Sequence, residues 1–179
     1  MSKPSDERLR EVFNLIEPLI ERRWGVPVSV TDVPNPFTGD LDGERILVEH
    51  DLEVEDAVFI LVHLFGHTVQ WNVSERAREI GMARPASWTE EQLVELTAYE
   101  QQACQYSLQL LHDAGVRDLD QWIADFAACD CAYLMHLYRT GEKREFRSFW
   151  HDNAPLVAPI PIPEFHPTRW LSRYEGTVV

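Results

Sequence analysis

Five prolines between residues 155 and 167 divide this chain into a part that can build regular structure and a part that cannot. Each lacks an amide proton and holds φ near −65°, so no regular helix runs through them. The stretch from about 151 to 179 therefore reads as an extended tail along the surface or over a cleft, with Ala158–Pro167 as a strap over the domain in preference to a lid or a partner motif. Regular structure has to come from the residues before it.

There the apolar spacing is mostly helical. Leu9, Val12, Phe13, Ile16 and Ile20 recur at helical intervals behind a Ser5 or Asp6 cap, and Gly25 and Pro27 end the pattern. Pro18 is expected to kink this helix or split it in two. Val28–Val30 and Arg45–Glu49 read as short strands on either side of loop chemistry at Pro34–Asp40. Asp51 is the expected N-cap of a helix from about Leu52 to Trp71, with Glu53, Glu55 and Asp56 at its positive end. A segment from Ser74 to Ile80 stops at Gly81. Ser87 with Glu90, or Thr89 with Gln92, offers a capping box for a long helix ending before Gly115. Another helix spans about Leu119 to Thr140 with Gly141 as its stop, and a short one covers Glu142–Trp150.

The expected fold is α+β and mostly helical, with a small N-terminal sheet of two or three strands. The 179 residues, 45% of them hydrophobic, suffice for one domain with a real core. Its parts are a core over about 10–115, a helical extension over about 116–150 and the Pro-rich tail over about 151–179.

With 16 Lys and Arg against 30 Asp and Glu, the net charge is −14, a poor basis for binding nucleic acid or an anionic membrane surface. The longest apolar run, Ala57–Phe65, is interrupted by His63 and too short to span a bilayer. Met1–Glu7 contains no apolar stretch of the kind a signal peptide needs. Three cysteines, with Cys129 and Cys131 as C-x-C in a helical pattern, read as free thiols rather than a disulfide framework. A reducing, cytoplasmic setting is the expectation.

The chemistry-bearing segment is Val62-His63-Leu64-Phe65-Gly66-His67-Thr68-Val69-Gln70-Trp71. A helix turns about 100° per residue, so His63 and His67 leave the same face one turn apart and can reach one ion. Bare H-x-x-x-H is a common pattern on helices. The strand–turn–helix order from Ile46 to His63 adds to it, as does the downstream stretch Glu100-Gln101-Gln102-Ala103-Cys104-Gln105-Tyr106-Ser107-Leu108-Gln109-Leu110-Leu111.

Together these resemble the ImmA/IrrE family of zincin-like metallopeptidases over roughly residues 10 to 112. Members carry a strand, an acidic helix start, an H-E-x-x-H helix, commonly H-E-x-G-H, and a later helix near E-x-x-A-N-x-F-A-x-x-L-L. Gly66 matches the family glycine. The resemblance implies that His63, His67 and Glu100 are the metal ligands, with zinc as the metal; iron or another divalent ion suits the same set. Periodicity permits this without requiring it. Leu96, Tyr99, Ala103, Tyr106 and Leu110 form the apolar stripe of that helix, Glu100 sits on one margin, and Glu95 and Gln102 share the other as fallback ligands.

Two positions depart from the family pattern. Leu64 stands where the Glu should be, and in zincins that carboxylate carries a proton from the attacking water to the leaving amine. Leucine does neither, and its side chain is expected to wall the metal pocket. Cys104 stands in the Asn position. Candidate catalytic residues are His136 and Tyr99, with His151 and His166 as further histidines that could carry a proton; Tyr99 and Tyr106 otherwise read as core. Gln70, three residues after His67, is a candidate to hold a group behind the ligands by hydrogen bond, or simply to cap the helix end.

Three functions follow. The first is a metal-dependent enzyme with a two-His, one-Glu site acting on a peptide, protein or small molecule, without ordinary peptidase chemistry. The second is a catalytically inactive pseudo-protease serving as a regulatory interaction domain, with any DNA-binding partner separate. The third is a helical domain without metal.

Overall fold

A computed structural model describes residues 3–34 and 37–171 of the chain. The elements are α1 (Asp6–Trp24), β1 (Val28–Thr31), β2 (Gly39–Leu41), β3 (Ile46–Glu49), α2 (Val54–Val73), α3 (Glu75–Met82), α4 (Glu90–Asp113) and α5 (Asp120–Thr140), then a 3₁₀ turn at Phe146–Phe149. This is the α+β, mostly helical architecture expected, with a sheet of three strands.

Local chemistry explains most of the boundaries. Ser5 Oγ accepts from the Arg8 amide at 3.2 Å, and Gly25, at φ 68°, closes α1 by donating its N–H to the Glu21 carbonyl. Pro18 does not split the helix, which is continuous across it. The carbonyl that loses its amide partner belongs to Asn14, an exposed residue where water can satisfy it. Thr89 and Gln92 form the reciprocal capping box of α4, and Gly141 ends α5 at φ 73°.

Three boundaries differ from the sequence expectation. Helix α2 begins at Val54, and neither Asp51 nor Glu53 caps it through a side chain. Its start is held instead by Glu55, which is buried and accepts from Trp122 Nε1 at 3.0 Å and from Arg147 and Lys3, each at 2.9 Å. Helix α3 runs one residue past Gly81, where a Cβ would meet Tyr99 Oη at 2.5 Å, so that glycine answers to packing rather than to a stop. Residues 142–150 carry only the 3₁₀ turn.

The sheet has the order β1-β3-β2, with β1 parallel to β3 and β2 antiparallel to it. Strand β2 arises at the end of the stretch read as loop. Its Gly39 is required by close approach, since a Cβ there would stand 2.7 Å from the Leu47 carbonyl and 2.8 Å from both Ile60 and Leu64. Helix α2 packs on the sheet and is the centre of the fold, with fourteen buried residues between Glu55 and Trp71. Helix α1 covers it through Trp24 on Phe65, ring centroids 4.8 Å apart. Helix α5 covers it through Phe126 stacked on Phe59 at 3.9 Å, and α4 lies along it. A helix surrounded on every side needs no polar face, which is why this segment reads as nearly continuous apolar sequence.

The tail from 151 to 171 has neither helix nor strand and behaves as the expected strap. The Ala154 amide donates to Asp125 Oδ1 at 2.8 Å, and the Thr168 amide donates to Asn72 Oδ1 at 2.9 Å. Between these anchors Val157, Ile160, Ile162 and Phe165 pack against the core. Residues 35 and 36 of the expected loop and 172–179 of the expected tail lie outside the described residues. No helix among the described residues is long and apolar enough to cross a membrane.

Candidate metal centre

The site begins with a glycine. A Cβ on Gly66 would stand 2.2 Å from the carbonyl oxygen of Ala103, so α2 and α4 touch backbone to backbone at this point. Glu100 lies one turn before Ala103 on α4, and the close crossing carries its carboxylate to the histidine face of α2. His63 and His67 are 7% and 5% exposed, and Glu100 is 7% exposed. Glu100 Oε2 lies 3.1 Å from His63 Nε2 and 3.2 Å from His67 Nε2, and the two nitrogens are 2.9 Å apart.

The far side of each ring is also held. Gln70 Nε2 donates one hydrogen to the Tyr99 carbonyl at 2.9 Å and the other to Gln102 Oε1 at 2.8 Å. With both amide hydrogens committed, Gln70 Oε1, 2.8 Å from His67 Nδ1, accepts from it. That fixes the tautomer that turns the Nε2 lone pair of His67 inward. His63 Nδ1 faces the Cys104 sulfur at 3.6 Å, and burial pushes that thiol well up, so it stays protonated. Ring stacking completes the clamp, with His67 on Tyr99 at 4.5 Å and His63 on Phe59 at 5.2 Å.

Burial alone would raise the pKa of Glu100, but the His67 and His63 imidazoles outweigh it and hold the carboxyl well below the usual carboxylate range. Two imidazole nitrogens and an ionised carboxylate aimed at one buried point repel one another unless a proton or a cation stands among them. The ligand atoms lie within 4.8 Å of one another and form a group that could hold a metal ion. The donor set fits a divalent ion of the zinc or iron type.

Other residues singled out in the sequence fall elsewhere. Glu95 pairs with Arg76 at the surface, at 2.6 and 2.7 Å, and Gln102 supports Gln70 rather than the group itself. Tyr99 contributes its ring face to His67, while its hydroxyl accepts from Trp71 Nε1 at 2.9 Å. Tyr106 is core. His136 lies near the end of α5 with its ring 5.4 Å from that of Phe149, and His151 and His166 are exposed. Leu64 is 8% exposed and lies in the core beneath Gly39 of β2. It is therefore a sheet-facing residue and not the pocket wall expected of it.

Beside the group is a cavity of about 590 Å³ between α4, α5 and the extended residues 154–158. His63, Glu100, Cys104, Asp130 and Cys131 line it, and no Lys or Arg does so among the described residues. Asp130 is the residue that sequence reasoning missed: its Oδ2 comes within 3.9 Å of His63 Nε2. It sits between the cysteines of the C-x-C, with no spacing that ties it to His63. Only the packing of α5 brings them together.

Compared with protein-family models, curated proteins and solved structures, the chain matches none.

Proposed function

We propose that this chain is a zincin-like metal-binding protein whose His63, His67 and Glu100 hold zinc, or iron or another divalent ion, and that it is a metal-dependent enzyme without ordinary peptidase chemistry. The observation that carries this reading is the convergence of three buried donors whose outer atoms are already engaged, His67 by Gln70 and His63 by Cys104. The resemblance to the ImmA/IrrE family, with Gly66 at the helix crossing, supports it. When bound, the metal would act as a Lewis acid toward a carbonyl or similar group.

The chain's own residues set the limits of that chemistry. Glu100, converging on the two histidines, serves as a ligand in this reading. Leu64 has no proton to carry and packs against the sheet. The substrate, a peptide, protein or small molecule, enters the cavity between α4 and α5, whose charged lining is acidic and so disfavours anions. A second reading, an inactive pseudo-protease acting as a regulatory interaction domain, draws on the burial of Leu64 in the core, where it does no chemistry. Both readings place the protein in the cytoplasm, away from membranes and without direct nucleic-acid contact, in keeping with its charge of −14.

The test is elemental analysis of protein purified without added metal, followed by chelation and reloading. Near-stoichiometric zinc or iron, lost in Glu100→Ala, supports the metal site. A chain that neither retains metal nor takes it up contradicts it. Screening the loaded protein for turnover then separates enzyme from pseudo-enzyme.

A further inference from the structure

We infer that Asp130 is a fourth protein ligand of this site, delivered by α5 from the cavity side. The inference rests on the reading of His63, His67 and Glu100 as ligands and extends it to a third helix.

Tetrahedral ligands about 2.1 Å from a metal stand about 3.4 Å from one another. The three donors already described are separated by 2.9, 3.1 and 3.2 Å, slightly inside that spacing, as atoms drawn together by hydrogen bonding would be. Asp130 Oδ2 stands 3.9 Å from His63 Nε2, roughly half an ångström outside it. Turning the side chain about Cα–Cβ is the movement that would carry an Asp130 oxygen from His63 toward the other two donors, which with His63 form a group whose atoms all lie within 4.8 Å of one another.

The approach is from the right direction. Asp130 lines the same cavity as His63 and Glu100, on the α5 side of it. Its side chain is 20% exposed, so it stands at the mouth of the group rather than in open solvent. Helix α5 is anchored on both sides of this position, by Phe126 stacked on Phe59 at 3.9 Å and by Arg139 paired with Glu90 at 2.9 Å.

A set of two imidazoles and two carboxylates closes the coordination of a four-coordinate ion. A substrate group then has to displace Asp130 or add as a fifth ligand, so Asp130 controls access from the cavity.

The experiment uses the full chain, stripped of metal and titrated with Co²⁺ alone at neutral pH, with visible absorption as the readout. Wild type, Asp130→Ala, Asp130→Asn, Glu100→Ala and the surface control Asp51→Ala are compared, and melts without metal confirm that each folds. Wild type and Asp51→Ala are expected to show the intense bands of four-coordinate cobalt. Asp130→Ala and Asp130→Asn are expected to bind at least 10-fold more weakly, with altered bands as solvent takes the vacated position. Wild-type affinity and an unchanged spectrum in both Asp130 variants, alongside loss of binding in Glu100→Ala, would overturn the role of Asp130 and leave the three-ligand reading standing. Absence of cobalt binding by wild type would remove both.

Discussion

Adding one methyl group at Gly66 should dismantle the site without touching a ligand. In Gly66→Ala the new Cβ would stand 2.2 Å from the Ala103 carbonyl oxygen, whereas ordinary contact begins near 3.4 Å. Because the obstruction is backbone, no rotamer change relieves it, and α2 and α4 must part locally by about 1 Å. Overpacking of this kind costs about 1–3 kcal/mol, offset by about 1 kcal/mol from the better helix propensity of alanine. A net loss of up to about 2 kcal/mol lowers Tm by roughly 4–8 °C in a domain of this size. The effect on metal is larger, since ligand distances tolerate only about 0.2 Å and Glu100 reaches the group across this very crossing. Zinc affinity is therefore expected to fall by about 100-fold or more while the protein remains folded. Melting curves without metal and a zinc titration at one temperature measure both effects. A Gly66→Ala protein with the Tm and zinc affinity of wild type would refute the account of how α4 is positioned.

Gln70→Leu should weaken zinc binding by about 10–100-fold by releasing His67 Nδ1, a change read by the same titration. Glu55 has its pKa lowered: burial opposes this, but Lys3, Trp122 and Arg147 outweigh it. Its folded value thus lies below its unfolded one, so its contribution is complete above the unfolded value near 4.5 and is lost as pH falls through the folded value. Glu55→Gln should therefore melt below wild type at pH 7, with the gap narrowing in acid, in melts run across that range. Leu64→Glu forces a carboxylate into the core beneath Gly39 and should destabilise the fold by about 2 kcal/mol or more, measured by chemical denaturation. The natural protein should show negligible chelator-sensitive cleavage of an unfolded peptide mixture; robust cleavage would contradict a site lacking the zincin proton carrier.

The sequence made the helices legible because their caps and stops are local. Ser5, Gly25, the Thr89–Gln92 box and Gly141 act within a turn of their own position, and each does so in the structure. Strand β2 and the start of α2 were not legible, because their causes are tertiary. The first depends on space beneath Gly39, and the second on Glu55 meeting residues as distant as Trp122 and Arg147. The same division holds at the site. His63 and His67 share one helix and show themselves by spacing, whereas Glu100 needed a family resemblance to be preferred over Glu95. Asp130 carries no signal at all, since an aspartate on a helix looks solvated until another helix is packed against it. The family resemblance puts Leu64 where a carboxylate is expected, but the direction of its side chain depends on the sheet, and it packs beneath β2.

The most direct measurement is calorimetric titration of zinc into the metal-free chain, with His67→Ala as its companion. Saturation at one ion per chain in wild type, with no saturable binding in His67→Ala, is the result expected of a buried group formed by His63, His67 and Glu100. Absence of saturable binding in wild type, or an unchanged isotherm in His67→Ala, would contradict it.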